Sequence, residues 1–131
     1  MDKQTASLLR GSLEKANDKL RIAEQLLHSG AYDDAVSRAY YCAFHAAQAV
    51  LLTEGLTANT HRALVNLFGL HMVKTGKFPT RFGKFLANLK DDRESSDYDI
   101  YSAIDQETAQ RSVEEARAFL AAAVEYLKPW L

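Results

Sequence analysis

The chain has 131 residues, enough for one hydrophobic core, and its 47% hydrophobic and 25% charged content is that of an ordinary globular domain. Sixteen Lys and Arg against seventeen Asp and Glu leave a formal charge of −1, so net charge alone supplies no attraction to nucleic acid or anionic membrane. One cysteine, Cys42, excludes an internal disulfide and a cysteine-based zinc cluster, and fits a reducing cytosol.

The N-terminal residues carry no apolar signal core. The longest uncharged run, Ala39 to Thr53, has fifteen residues, against the about twenty that a membrane span requires. The expectation is a single cytoplasmic domain over residues 1–131 with no membrane association.

Only two prolines and six glycines interrupt the chain, which favours long helices. A first helix is predicted from about Lys3 to Ser29, its apolar stripe Leu9, Leu13, Ala16, Leu20, Ala23 and Leu27 stepping alternately by four and three. Ser29-Gly30 ends it, since glycine accepts the left-handed cap conformation. A second helix starts near Tyr32-Asp33-Asp34, with acids at its positive end, and runs to Leu52. It is apolar on nearly every side and so is predicted to be the central helix. A third, about Thr60 to Lys74, buries Leu64, Leu67, Phe68 and His71. A turn over Thr75 to Thr80 and a short helix from Arg81 to Leu89 follow. Asp91 to Asp105 is polar, lacks a helical period and reads as a functional loop. Asp105 caps a last helix, whose stripe Ala109, Val113, Ala116, Leu120, Ala123 and Leu127 repeats the spacing of the first. No stretch alternates like a strand, so the fold class is all-α, an up-and-down bundle of four to five helices.

The run Ser37-Arg38-Ala39-Tyr40-Tyr41-Cys42-Ala43-Phe44-His45-Ala46-Ala47, after a helix-Gly-Tyr-Asp-Asp-Ala turn, resembles the core of the HEPN superfamily (higher eukaryotes and prokaryotes nucleotide-binding). A later Arg93-Glu94-Ser95-Ser96-Asp97-Tyr98 is similar to the Arg-x-x-x-Asp-Tyr stretch of its compact stand-alone prokaryotic members, and the likeness extends from about Leu8 to Leu127. The resemblance implies a homodimer and a metal-independent endoribonuclease, often a toxin paired with a nucleotidyltransferase-type partner. Its active motif is Arg-x4-6-His near the last helix, built across the dimer. A 2′-hydroxyl attacks the adjacent phosphate while His moves a proton and Arg holds developing charge, which requires no metal.

Here the motif reads Arg93-x4-Tyr98, with no histidine after His71. Tyrosine, with a pKa near 10, is a poor base at neutral pH. The candidate catalytic residues are Arg93 on phosphate, Asp97 orienting it or a hydroxyl, and Tyr98 donating a hydrogen bond. The resemblance also implies that Tyr98 accepts a nucleotide, because related toxins are silenced at a tyrosine near this place. Arg38 and His45 match Arg-x6-His within the second helix, two turns or about 10 Å apart on one face. With Tyr41 they form a candidate nucleotide or phosphate pocket.

Charge is also polarised along the chain. From Gly55 to Lys90 there are six cations and no acid, leaving −7 for the remainder. Arg62, Lys74, Lys77, Arg81 and Lys84 are therefore candidate phosphate contacts. The four histidines, His28, His45, His61 and His71, lack repeated acidic neighbours at ligand spacing, so no metal site and no cofactor are expected. Cys42 reads as packing rather than nucleophile. Tyr40, Tyr41 and Phe44 read mainly as core, with base stacking as the other use of such a cluster. Asp91, Asp92, Glu94, Asp97 and Asp99 surround Arg93 with acids. The functional expectation is RNA or nucleotide binding with ribonuclease activity; the alternative is a non-catalytic dimeric module that binds a protein partner.

Overall fold

The computed structural model describes residues 1–98, 100 and 103–131. Five α-helices follow in order: α1 Lys3–His28, α2 Tyr32–Leu52, α3 His61–Phe68, α4 Thr80–Tyr98 and α5 Gln106–Leu127. A π-helical turn, Gly69–Val73, extends α3, and a 3-10 turn, Lys128–Trp130, closes the chain. There is no strand among the described residues, and the fold is an all-α bundle.

Capping follows the sequence. Asp2 accepts the Thr5 N–H ahead of α1 at 2.7 Å, Thr60 accepts the Ala63 N–H ahead of α3, and Asp105 accepts the Thr108 N–H ahead of α5. Each cap satisfies an N–H that has no partner within its helix. Gly30 turns α1 into α2 at φ +85°, and the Ala31 N–H reaches back to the Leu26 carbonyl at 2.9 Å. An L side chain at that φ would crowd its own backbone.

α2 forms the middle of the bundle, with twelve buried residues, and packs against α1, α3, α4 and α5. Its Ala35, Ala39, Ala43, Ala46, Ala47 and Ala49 are all fully buried, so small side chains let the neighbouring helices approach closely. In α1, Leu9, Leu13, Ala16 and Ala23 of the stripe are buried, whereas Leu20 and Leu27 are half-exposed. All six stripe residues of α5 are buried. Phe68, Phe78, Phe82 and Phe119 close the core away from the N-terminus of α2, with Phe68 5.1 Å from both Phe78 and Phe119 between ring centroids.

Two expected boundaries are corrected. The third helix does not continue as an α-helix to Lys74: from Gly69 it becomes the π turn, in which Met72 is buried while Leu67 and His71 are half-exposed. The polar stretch from Asp91 is not a loop, because α4 continues to Tyr98. Phe82, Leu86, Leu89 and Arg93 are its buried residues, stepping by four, three and four. The stripe therefore does continue, but its last position is an arginine. Intrahelical pairs Lys90–Glu94 at 2.7 Å and Arg93–Asp97 at 3.0 Å support the extension. Asp92 joins it to α5 by accepting from Arg111 and Ser112. Ser96 donates to the Asp33 carbonyl at 3.0 Å, and the Ile104 N–H donates to the Asp33 carboxylate at 3.3 Å, tying both ends of this stretch to the start of α2. Asp99, counted with the acids around Arg93, lies outside the described residues.

Candidate functional site

Arg93 projects from α4 onto the aromatic face of α2. Its guanidinium carbon lies 5.3 Å from the Tyr40 ring centroid and 5.8 Å from that of Tyr41. The residue is 7% exposed, so its charge is largely removed from water. Two things offset that cost: the electron-rich ring faces, and Asp97, which accepts from Nη1 at 3.0 Å. Nε of Arg93 is buried and has no hydrogen-bond partner among the described residues. A guanidinium has five N–H donors, and this one retains donor capacity beside an aromatic wall.

His61 packs against the same rings from α3. It is the first residue of α3, placed there by the Thr60 cap. The loop that delivers it is pinned to α2 by Gln48, whose Nε2 donates to the Ala58 carbonyl and whose Oε1 accepts the Ala58 N–H. The imidazole centroid is 5.4 Å from Tyr40, 6.0 Å from Tyr41 and 5.4 Å from Phe44. Its Nδ1 lies 2.6 Å from the Tyr40 hydroxyl oxygen. Burial pushes the Tyr40 phenol well above its ordinary value, against a smaller pull from Arg93, so it stays a neutral donor. Burial, then the charges of Arg93 and Lys90, hold His61 below its ordinary value, with Glu94 opposing them. A neutral His61 that accepts from Tyr40 at Nδ1 carries its remaining proton on Nε2.

A polar concavity lies on the α1 side of Tyr41. It is open, with a volume of 660 Å³, and brings together Arg38, Tyr41 and His45, the three residues that the sequence groups as a pocket. Lys15 and Lys19 of α1 and Ser37 also line it, with Asp18 and Asp34 partly balancing the positive charge. Burial, followed by Lys15 and Lys19, lowers the His45 pKa. Tyr41 thus touches both sites, with Arg93 and His61 on one side and the Arg38 groove on the other.

The remaining sequence candidates do not converge with these. Arg93 and Asp97 meet, but Tyr98 is 76% exposed. Five helical residues turn about 140° beyond one full turn, so Tyr98 cannot share the inward face of Arg93. Arg62, Lys74, Lys77, Arg81 and Lys84 are exposed on α3, the following turn and the start of α4, and none lines the Arg38 groove. Lys77 is tied to Glu54, and Arg81 stacks over the Phe82 ring at 4.6 Å. Cys42 is buried, its thiol pushed up to about 12 by burial, which leaves it little thiolate character. Among the described residues no group of three or more His, Cys, Asp or Glu is placed to hold a metal ion. Nor is any helix among them long and apolar enough to cross a membrane.

Sequence reasoning groups neither His61 nor Tyr40 with Arg93. Their approach depends on helices joined only through the tertiary fold. Lys15 and Lys19 share one face of α1 by their i, i+4 spacing, but only the packing of α1 on α2 brings that face to Arg38.

An antiparallel-style stack of helices around a central alanine-rich helix, with an arginine buried against its Tyr-Tyr pair, defines the class. The HEPN domain model matches residues 9–127, and the chain belongs to the HEPN-domain family. It is 31% identical over 120 residues to MJ0605 of Methanocaldococcus jannaschii, named as a candidate toxin, covering 92% of this chain and 89% of that one. It is 30% identical over 116 residues to a UPF0332 protein of Gloeobacter violaceus, covering 88% of this chain and 92% of the relative. The crystal structure of TT1696 from Thermus thermophilus superposes with a TM-score of 0.77 at 22% identity, over 91% of this chain and 98% of that one, a likeness of fold.

Proposed function

We propose that this chain is a toxin-like HEPN protein that binds RNA or a nucleotide by phosphate and cleaves RNA without metal. In this reading it works as a homodimer beside a nucleotidyltransferase-type partner. The single observation that carries it is Arg93, buried, held by Asp97 against two aromatic faces, and with an Nε unpartnered among the described residues. A buried cation with donor capacity to spare is suited to an oxyanion, and a fixed donor stabilises developing charge without reorganising. The Arg38–His45 groove, with Lys15 and Lys19, suits a second phosphate. Tyr98, exposed at the end of α4, is accessible to a modifying partner.

The test is incubation of labelled RNA without metal, with wild-type protein and Arg93→Ala side by side. Wild type cuts, leaving a cyclic phosphate, and the variant is slower by about 10²-fold, the usual cost of removing one oxyanion donor. RNA left intact by both withdraws catalysis. A second reading, a non-catalytic module that docks a protein partner, is favoured by Tyr98 standing where the family motif has histidine. Intact RNA, together with a stable complex between the chain and a nucleotidyltransferase-type protein, selects it.

A further inference from the structure

The Arg93 guanidinium and the His61 imidazole approach the same two tyrosine rings from different helices. Arg93 lies 5.3 and 5.8 Å from the ring centroids of Tyr40 and Tyr41, and His61 lies 5.4 and 6.0 Å from them. Tyr40 is fully buried, and among the described residues its hydroxyl has one hydrogen-bond partner, His61 Nδ1 at 2.6 Å. Were Nδ1 the donor, the Tyr40 proton would be left buried without an acceptor, at the cost of an unmade hydrogen bond. Tyr40 therefore donates, and the histidine proton sits on Nε2. His61 is only half-buried, so that N–H is within reach of a ligand. On the Arg93 side, Nη1 donates to Asp97, and Nε is buried with no partner among the described residues. The arginine and the imidazole thus meet one aromatic platform from α4 and α3.

We infer that His61 is the second anchor of the Arg93 site: His61 Nε2–H and the Arg93 guanidinium hold one phosphate oxyanion between them, and Tyr40 fixes the imidazole in the donating tautomer. This rests on the reading that Arg93 faces phosphate. It supplies from α3 a histidine that the Arg93-x4-Tyr98 string lacks. The shared ligand chemistry is a phosphate oxyanion, borne by a nucleotide or by an RNA backbone.

The test uses full-length protein, with binding of inorganic phosphate, adenosine 5′-monophosphate and a short single-stranded RNA measured by calorimetry. His61→Asn keeps an acceptor where Nδ1 stood and so preserves the Tyr40 bond, but has no donor at the Nε2 position. His61→Gln places an amide N–H near that position. His61→Asn is expected to weaken binding about tenfold, as for loss of one charge-assisted hydrogen bond. It is expected to leave the thermal midpoint close to wild type, with His61→Gln recovering most of the affinity. Loss in the RNA arm alone assigns the clamp to a backbone phosphodiester, and loss in the nucleotide arm to a terminal phosphate. If Arg93→Ala abolishes binding while His61→Asn binds like wild type, the His61 anchor is overturned and the Arg93 reading stands. Unaltered binding in both variants, or no saturable binding by wild type, overturns both. Independently of any ligand, nitrogen NMR of the imidazole is expected to show His61 protonated at Nε2. Protonation at Nδ1 alone in the neutral protein overturns the inference.

Discussion

Replacing Tyr40 by phenylalanine removes one oxygen from the centre of the site and leaves the ring that supports Arg93. The ring is fully buried, and the lost bond joins residues 21 positions apart, from α2 to the first residue of α3. His61 is half-exposed, so water can replace the hydroxyl at Nδ1, and the cost is the net worth of one hydrogen bond, about 1 kcal/mol. Loss of a single buried oxygen adds little cavity, and Arg93 keeps its ring partners. A loss of about 1 kcal/mol lowers the midpoint by about 4 °C in a domain of this size. Thermal and urea denaturation followed by circular dichroism measure it, with an unchanged urea slope expected because the exposed surface is the same. In the same variant the neutral imidazole should become a mixture of tautomers by nitrogen NMR. An unchanged or raised midpoint, with His61 still protonated at Nε2, would refute the reasoning that Tyr40 fixes the ring.

Thr60→Ala removes the cap that sets His61 at the head of α3; a loss of about 1 kcal/mol by urea denaturation is expected, with weaker phosphate binding in the same preparation. Ala46→Leu forces a larger side chain into a fully buried position of the central helix and should cost about 1–3 kcal/mol, again read by urea denaturation. Burial lowers the pKa of both His45 and His61 in the folded chain, so on acidification the unfolded chain takes up those protons first. Stability is therefore lost as pH falls from about 6.5 toward the folded values. The urea midpoint should drop between about pH 7.5 and about pH 5.5, and drop less in a His45→Asn, His61→Asn double variant. Glu115, raised by burial, acts in the opposite sense, its contribution falling as pH rises above the ordinary glutamate range, which is why the double variant is the needed comparison.

The ends of the bundle were the most legible part of the chain. α5 buries every residue of its predicted stripe, and α1 buries four of six, because in both helices apolar side chains alone mark the inner face. α4 is the reverse case: Arg93 continues the stripe of Phe82, Leu86 and Leu89 but carries a charge, so the apolar period in the sequence stops at Leu89. Arg93 and Asp97, expected together in a loop, meet instead as an i, i+4 pair on α4. Arg38, Tyr41 and His45 also share a groove, as their common face on α2 required. Lys15, Lys19 and His61 could not be joined to them from spacing, because α1 and α3 reach α2 through loops and packing that no local pattern encodes.

The continuation of α4 through Asp91–Tyr98 bears on how a ligand is held as well as on where Arg93 stands. Eight residues expected as a loop are fixed when the chain folds, two of them by bonds from Asp92 and Ser96 to neighbouring segments. Ordering a flexible segment on binding takes about 1–2 kcal/mol per residue from the affinity. Here that cost falls on folding, so in the proposed reading a phosphate would meet an arginine already aimed, and the stability of α4 and the strength of binding would become one property of the same eight residues.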